Sequence, residues 1–261
     1  MAAASHTNAC STKVEVVVAA AQGSLFAMGP VQVRPSPEFE RTELEGGAWV
    51  DVARSWLGGA DELADRLARE VDWKHHRRWM YDRQVDEPRL SRWYRASDRL
   101  PDDALAWFRV ALGRRYHVRF GAMGLNYYRD GQDSVAFHSD RELRHLDDTL
   151  VAIVTLGAAR PFLLRPQGGG RSIDLRPASG DLLVMGGACQ QSWEHGVPKV
   201  TAGAGPRISA SVRWARKGGP EREWAPPDRH VDGHDGHTGN GGGHGGGPHV
   251  DARKSRRRQP P

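Results

Sequence analysis

A chain of 261 residues, 38% hydrophobic and 26% charged, can bury one core of ordinary domain size, while its 31 Gly and 16 Pro indicate segments outside that core. No apolar run approaches the roughly 18 residues of a membrane helix, so no membrane partner is expected, and Cys10 and Cys189 alone exclude a disulfide scaffold and fit a reducing, cytoplasmic setting. Lys and Arg exceed Asp and Glu by 37 to 32, a net charge of +5 that suits a polyanionic partner without demanding one.

Residues 1–22 are rich in Ala, Ser, Thr and Val with no core-forming period, which predicts a loose leader. Residues 23–217 are the expected folded domain. Within it, Leu63, Leu67 and Val71 recur at helical spacing after Gly58-Gly59, with Asp61 and Glu62 in the first turn of a predicted helix. A second helix is predicted from Pro101-Asp102-Asp103, with Leu105, Phe108 and Leu112 on one face. From Leu125 onward the texture changes. Short runs at 150–156, 161–164, 172–175, 181–185 and 207–214, separated by Gly, Pro and Asp, predict antiparallel strands. Helices first and strands after give an α+β fold in which the helices buttress one sheet. Residues 218–261 are Gly- and His-rich and end in Arg253-Lys254-Ser255-Arg256-Arg257-Arg258. Such a tail buries too little apolar surface to order itself, and its arginines add salt-sensitive affinity for nucleic acid.

The chemistry concentrates between Asn126 and Glu142. His138 and Asp140 are two apart, so in extended backbone their side chains leave the same face, and His195 is available as a third donor. Two imidazoles and one carboxylate leave open positions on a metal of the non-haem iron type; a solvated surface turn is the other reading of the pair. Residues 207–213 alternate strictly. Arg207, Ser209, Ser211 and Arg213 share one face, and Ile208, Ala210 and Val212 the other. Two inward guanidiniums require anions, which a dicarboxylate supplies; a polar strand face open to water is the alternative. Asn126 and Tyr128 also share a face and could reach the same ligand.

Asn126-x-Tyr128, His138-x-Asp140-x-Glu142, the distal His195 and Arg207-x₅-Arg213, in this order, resemble the AlkB family of Fe(II)/2-oxoglutarate dioxygenases. The likeness runs from about Trp73 to Trp214 and includes Pro88-Arg89-Leu90-Ser91-Arg92-Trp93-Tyr94 and Trp193-Glu194-His195-Gly196-Val197-Pro198-Lys199. It implies a double-stranded β-helix (jelly-roll) core over about 119–215. It also implies oxidative demethylation of alkylated nucleobases of the N1-methyladenine and N3-methylcytosine type, in DNA or RNA, with release of formaldehyde. By the same resemblance, His138, Asp140 and His195 bind Fe(II), and Arg207, with Tyr128 nearby, holds the distal carboxylate of 2-oxoglutarate. Arg213 and Asn126 serve the chelating end, O2 is the second co-substrate, and Glu142 faces a cationic base. Ser209 and Ser211 stand where the family usually has Asn and Thr. Ser209 keeps a donor for the carboxylate on a shorter reach.

On the substrate side, residues 74–95 carry seven Lys or Arg against three acids, interleaved with Trp79, Tyr81, Trp93 and Tyr94. Cations for phosphates and rings for unstacked bases suit a lid, over about 73–100, for a single-stranded or flipped nucleotide. Arg89, Trp93 and Tyr94 are its candidate contacts; an amphipathic edge with rings in the core is the plainer reading. Residues 95–101 hold no aromatic where the family's animal members have one. A monomer is expected. The competing functions are a 2-oxoglutarate-dependent hydroxylase or demethylase of a protein or small molecule, and a non-catalytic nucleic-acid binder on the same fold.

Overall fold

A computed structural model describes residues 30–80, 83–201 and 203–216; the expected leader and tail lie outside these residues. The first helix, α1 (Ala60–Glu70), starts at Gly59, whose φ of 66° is a conformation that glycine adopts at little cost. The second, α2 (Asp103–Tyr116), is capped by Asp102, whose carboxylate accepts from the Ala104 N–H at 2.9 Å. Both helices fall where the apolar spacing places them, because Leu63, Leu67, Leu105, Phe108 and Leu112 are all buried in one cluster.

The strands are β1 (Gln32–Val33), β2 (Glu40–Glu43), β3 (Ala48–Ala53), β4 (Leu57–Gly58), β5 (Lys74–Met80), β6 (Arg83–Tyr94) and β7 (Met123–Tyr128). They continue with β8 (Val135–His138), β9 (Thr149–Gly157), β10 (Leu163–Pro166), β11 (Ile173–Asp174), β12 (Leu182–Gly187), β13 (Trp193–Val197) and β14 (Arg207–Ala215). A one-turn helix, α3 (Cys189–Ser192), precedes β13. Eight strands form the major sheet in the order β2-β3-β12-β9-β14-β7-β6-β5, and four form the minor sheet β11-β10-β13-β8. Every pairing is antiparallel.

Alternation along the major sheet creates two cores. Ala152, Val154, Leu156, Leu182, Val184, Ile208, Ala210 and Val212 pack under α1 and α2. Val50, Val151, Ile153, Leu183 and Met185 face the minor sheet and meet Leu164, Trp193 and Val197. Strand β9 is therefore buried on both faces, which is why it reads as an unbroken apolar run. The result is the expected jelly-roll with helices buttressing one sheet.

One organisational expectation needs correction. Strands precede the helices: β2 and β3 join the major sheet from before α1, so the sheet core is not confined to 119–215. The segment expected as a lid is a hairpin, β5–β6, that extends the same sheet through β6 and β7. Cys189 is buried in α3.

Candidate active site

Strand pairing assembles the site. β13 lies between β10 and β8, and its His195 sits directly across from His138, with ring centroids 4.4 Å apart. His195 is buried and stacks on Phe162 at 5.6 Å. Burial, followed by the proximity of His138, pushes the His195 pKa down to about 3. It is therefore neutral at ordinary pH, the form that ligates metals. His138 Nδ1 donates to the Ala136 carbonyl at 2.9 Å, which fixes the ring and leaves Nε2 available.

Asp140 follows the end of β8, where its backbone N–H donates to Oε1 of the buried Gln190 at 2.8 Å. Its carboxylate is turned onto Arg213, Nε to Oδ2 at 2.6 Å and Nη2 to Oδ1 at 3.1 Å. Burial pushes that carboxyl up. The Arg213 charge, its hydrogen bonds and the two imidazoles together outweigh burial and hold it below the usual carboxylate range.

Among the described residues no three His, Cys, Asp or Glu side chains converge on one metal-binding point. The donor chemistry nonetheless fits Fe(II). Two facing imidazoles and an adjacent carboxylate are present, and His195 Nδ1 is buried without a hydrogen-bond partner. The Asp140 carboxylate is held by Arg213.

The register of β14 against β7 aligns Arg207 with Tyr128, Ser209 with Asn126 and Ser211 with Gly124. A cavity of about 330 Å³ is lined by His138, Asp140 and His195 on one side and by Asn126, Tyr128, Ser209, Ser211 and Arg213 on the other. Arg207 does not line it but is fully buried beside Tyr128, its guanidinium carbon 5.6 Å from the ring centroid. Nη2 donates to Thr155 at 3.2 Å, whereas Nε and Nη1 have no partner. Burial lowers its pKa to about 10, which still leaves it charged at neutral pH. A buried cation with two idle donors is costly unless an anion meets it, and a carboxylate is the matching group. Ser211 Oγ is committed to the Gly124 carbonyl at 3.1 Å.

The substrate-side candidates divide. Arg89, Ser91 and Trp93 share one face of β6 and line the cavity. Trp93 is 54% exposed, with the Arg213 guanidinium 5.3 Å from its ring. Its ring lies so close to Gly124 that a Cβ there would meet it at 2.7 Å. Tyr94 is one residue on, so it points to the opposite face and packs against the helix-side core. Glu142 is exposed and does not line the cavity. The chain turns after Asp140, whose carbonyl accepts from the N–H groups of Leu143 and Arg144, and this breaks the two-residue period. Tyr94 and Glu142 thus do not line the cavity.

Two residues that the sequence reading passed over support the site. Gln190 holds the Asp140 backbone as above. Arg160, 1% exposed, donates to the carbonyls of Asp130 at 2.7 Å, Asp133 at 2.8 Å and Pro198 at 2.9 Å. It thereby ties the loop entering β8 to the loop leaving β13. Its only sequence signal is an arginine three residues after the end of the apolar run of β9.

Residues 32–222 match the model of the 2OG-Fe(II) oxygenase superfamily. Alpha-ketoglutarate-dependent dioxygenase alkB homolog 3 of Bos taurus is 30% identical over 216 residues, covering 69% of this chain and 74% of that protein. The Mus musculus protein of the same name is 29% identical over 180 residues, covering 60% and 62%. The DNA oxidative demethylase ALKBH2 of Arabidopsis thaliana is 31% identical over 118 residues, covering 36% and 38%. The matched region therefore spans 62% of the mouse homolog 3, less than two thirds of its length.

Proposed function

The chain belongs to the 2OG-Fe(II) oxygenase superfamily, and from that premise we propose that it demethylates alkylated nucleobases of the N1-methyladenine and N3-methylcytosine type in DNA or RNA, releasing formaldehyde. The observation that carries this reading is the cavity itself. A pair of facing histidines and an adjacent carboxylate stand at one wall, and an exposed tryptophan stands at another. The relatives named as alkB homologs and as a DNA oxidative demethylase support the same substrate class.

In this reading His138, Asp140 and His195 hold Fe(II). When bound, the metal with 2-oxoglutarate and O2 supplies the oxidising power for an N-methyl C–H bond. The chain's own work is charge neutralisation and positioning. Arg207 meets one carboxylate with its two idle donors, and Tyr128 lies beside it. Asn126, Ser209 and Arg213 serve the other end of the co-substrate. Arg213 then exchanges its grip on Asp140 for that anion, which frees the Asp140 carboxylate to join the two imidazoles. Trp93, exposed at the cavity and backed by Arg213, is the surface on which an unstacked base lies.

Among the described residues no helix is long and apolar enough to cross a membrane, and two cysteines in the whole chain support a reducing, cytoplasmic setting. The test is formaldehyde and succinate release in parallel, on a single-stranded oligonucleotide with N1-methyladenine and on its unmethylated copy. Both products only on the methylated strand support the proposal. Succinate alone, equal on both strands, would move the substrate to a protein or small molecule.

A further inference from the structure

Arg89 lies on β6 two residues before Ser91, which is paired across the sheet with Asn126. That diagonal neighbour relation brings the two side chains together on the cavity face. Arg89 Nε donates to Asn126 Oδ1 at 3.0 Å. The Arg89 side chain is only 17% exposed, and its Nη2 stands 3.6 Å from Glu87. A phosphate contact at the surface would want a guanidinium that is open to solvent and uncommitted; this one is neither.

The hydrogen bond has a chemical consequence for Asn126. A carboxamide has one acceptor end and one donor end, and a carboxylate can only accept. With Oδ1 engaged by Arg89, the end of Asn126 left for a ligand is its N–H2. We propose that Arg89 is a positioning residue for the co-substrate: it fixes the Asn126 amide with its donor end toward the cavity, where an oxygen of a 2-oxo acid binds. This assigns Arg89 to the co-substrate end of the site instead of the nucleic-acid contact expected from the sequence. It rests on the reading that Asn126 contacts 2-oxoglutarate.

The test is calorimetric titration of 2-oxoglutarate into the full chain loaded with redox-silent Mn(II), beside binding of a single-stranded oligonucleotide. Arg89→Met keeps the aliphatic stem and removes the donor, and it is expected to weaken 2-oxoglutarate about tenfold while leaving oligonucleotide affinity within about twofold. Arg89→Lys, which retains a donor, is expected to recover part of that loss, and it carries the test should the Met variant not fold. In an Asn126→Ala background, Arg89→Met is expected to add nothing, since its effect passes through the amide. Asn126→Asp keeps the partner of Arg89 but loses the donor, and is expected to bind 2-oxoglutarate as poorly as Asn126→Ala. Unchanged 2-oxoglutarate affinity in Arg89→Met with a weakened Asn126→Ala would overturn the role of Arg89 alone. Unchanged affinity in Asn126→Ala would overturn the reading of Asn126 and the inference with it. Loss of oligonucleotide affinity in Arg89→Met without loss of 2-oxoglutarate would return Arg89 to the nucleic acid.

Discussion

Arg213 grips Asp140 through two charge-assisted hydrogen bonds, at 2.6 Å and 3.1 Å, so the carboxylate beside the facing histidines begins in the hold of an arginine. Both side chains are largely buried, 26% and 12% exposed. Removing the arginine takes both hydrogen bonds from a largely buried carboxylate, at a cost of about 1–3 kcal/mol. Arg213→Met is therefore expected to lower stability by that amount in urea unfolding and to weaken 2-oxoglutarate as well. Equal stability of variant and parent would mean that the pair contributes nothing net.

Arg207 makes the opposite stability prediction. Its buried guanidinium leaves Nε and Nη1 unpaired, so in the absence of ligand it costs more than it gives. Arg207→Met, close in shape and neutral, is expected to melt at the same temperature as the parent or higher. It is also expected to lose the thermal stabilisation that 2-oxoglutarate gives the parent, with a dissociation constant raised about a hundredfold. A variant that melts lower yet still responds to 2-oxoglutarate would place the anion elsewhere.

Trp93 and Tyr94 are neighbours with opposite expected phenotypes. Trp93→Ala should leave the melting temperature nearly unchanged and weaken a single-stranded oligonucleotide by about 1–3 kcal/mol, the usual worth of one stacked base. Tyr94→Ala should destabilise the fold, because its ring packs on the helix-side core. Gly124→Ala should resemble Trp93→Ala, since its methyl would drive the indole off its seat. Oligonucleotide affinities and melts of the three variants separate these outcomes.

Asp133 predicts an acid limb. It is 4% exposed and accepts from the Arg129 backbone at 2.9 Å and from its guanidinium at 2.8 Å. Burial raises its pKa, but the bonds from Arg129 outweigh burial and hold it below the ordinary carboxylate value. A depressed folded pKa contributes stability that is present above the unfolded value near 3.9 and lost as pH falls through the folded one. The contribution is about 1 kcal/mol, limited by screening at the half-exposed Arg129. Asp133→Asn should therefore lose less stability than the parent between neutral pH and pH about 3. Identical losses in urea unfolding would contradict this.

The sequence makes legible whatever follows a simple period. Arg207 to Arg213 alternates, so Ile208, Ala210 and Val212 could be assigned to the core and Ser209, Ser211 and Arg213 to the cavity. The facing histidines are legible for the same reason, since each sits on a strand whose inward positions are fixed by pairing. Where a period ends, the reading fails. Glu142 lies beyond a turn that resets the alternation, and Tyr94 cannot share a face with Trp93 once both stand on one strand. Strand β2 is short, charged and exposed at every position, so no apolar pattern announces it. Arg160 and Gln190 act through contacts with backbone distant in the chain, which no local pattern carries.

The most direct measurement is mass spectrometry of a single-stranded oligonucleotide carrying one N1-methyladenine or N3-methylcytosine, after incubation with the protein, Fe(II), 2-oxoglutarate and ascorbate. The parent is expected to return the unmethylated mass and the His138→Ala variant to leave the methylated one. Retention of the methyl group by the parent, or its loss with the variant as well, would contradict the assignment of this cavity to nucleobase demethylation.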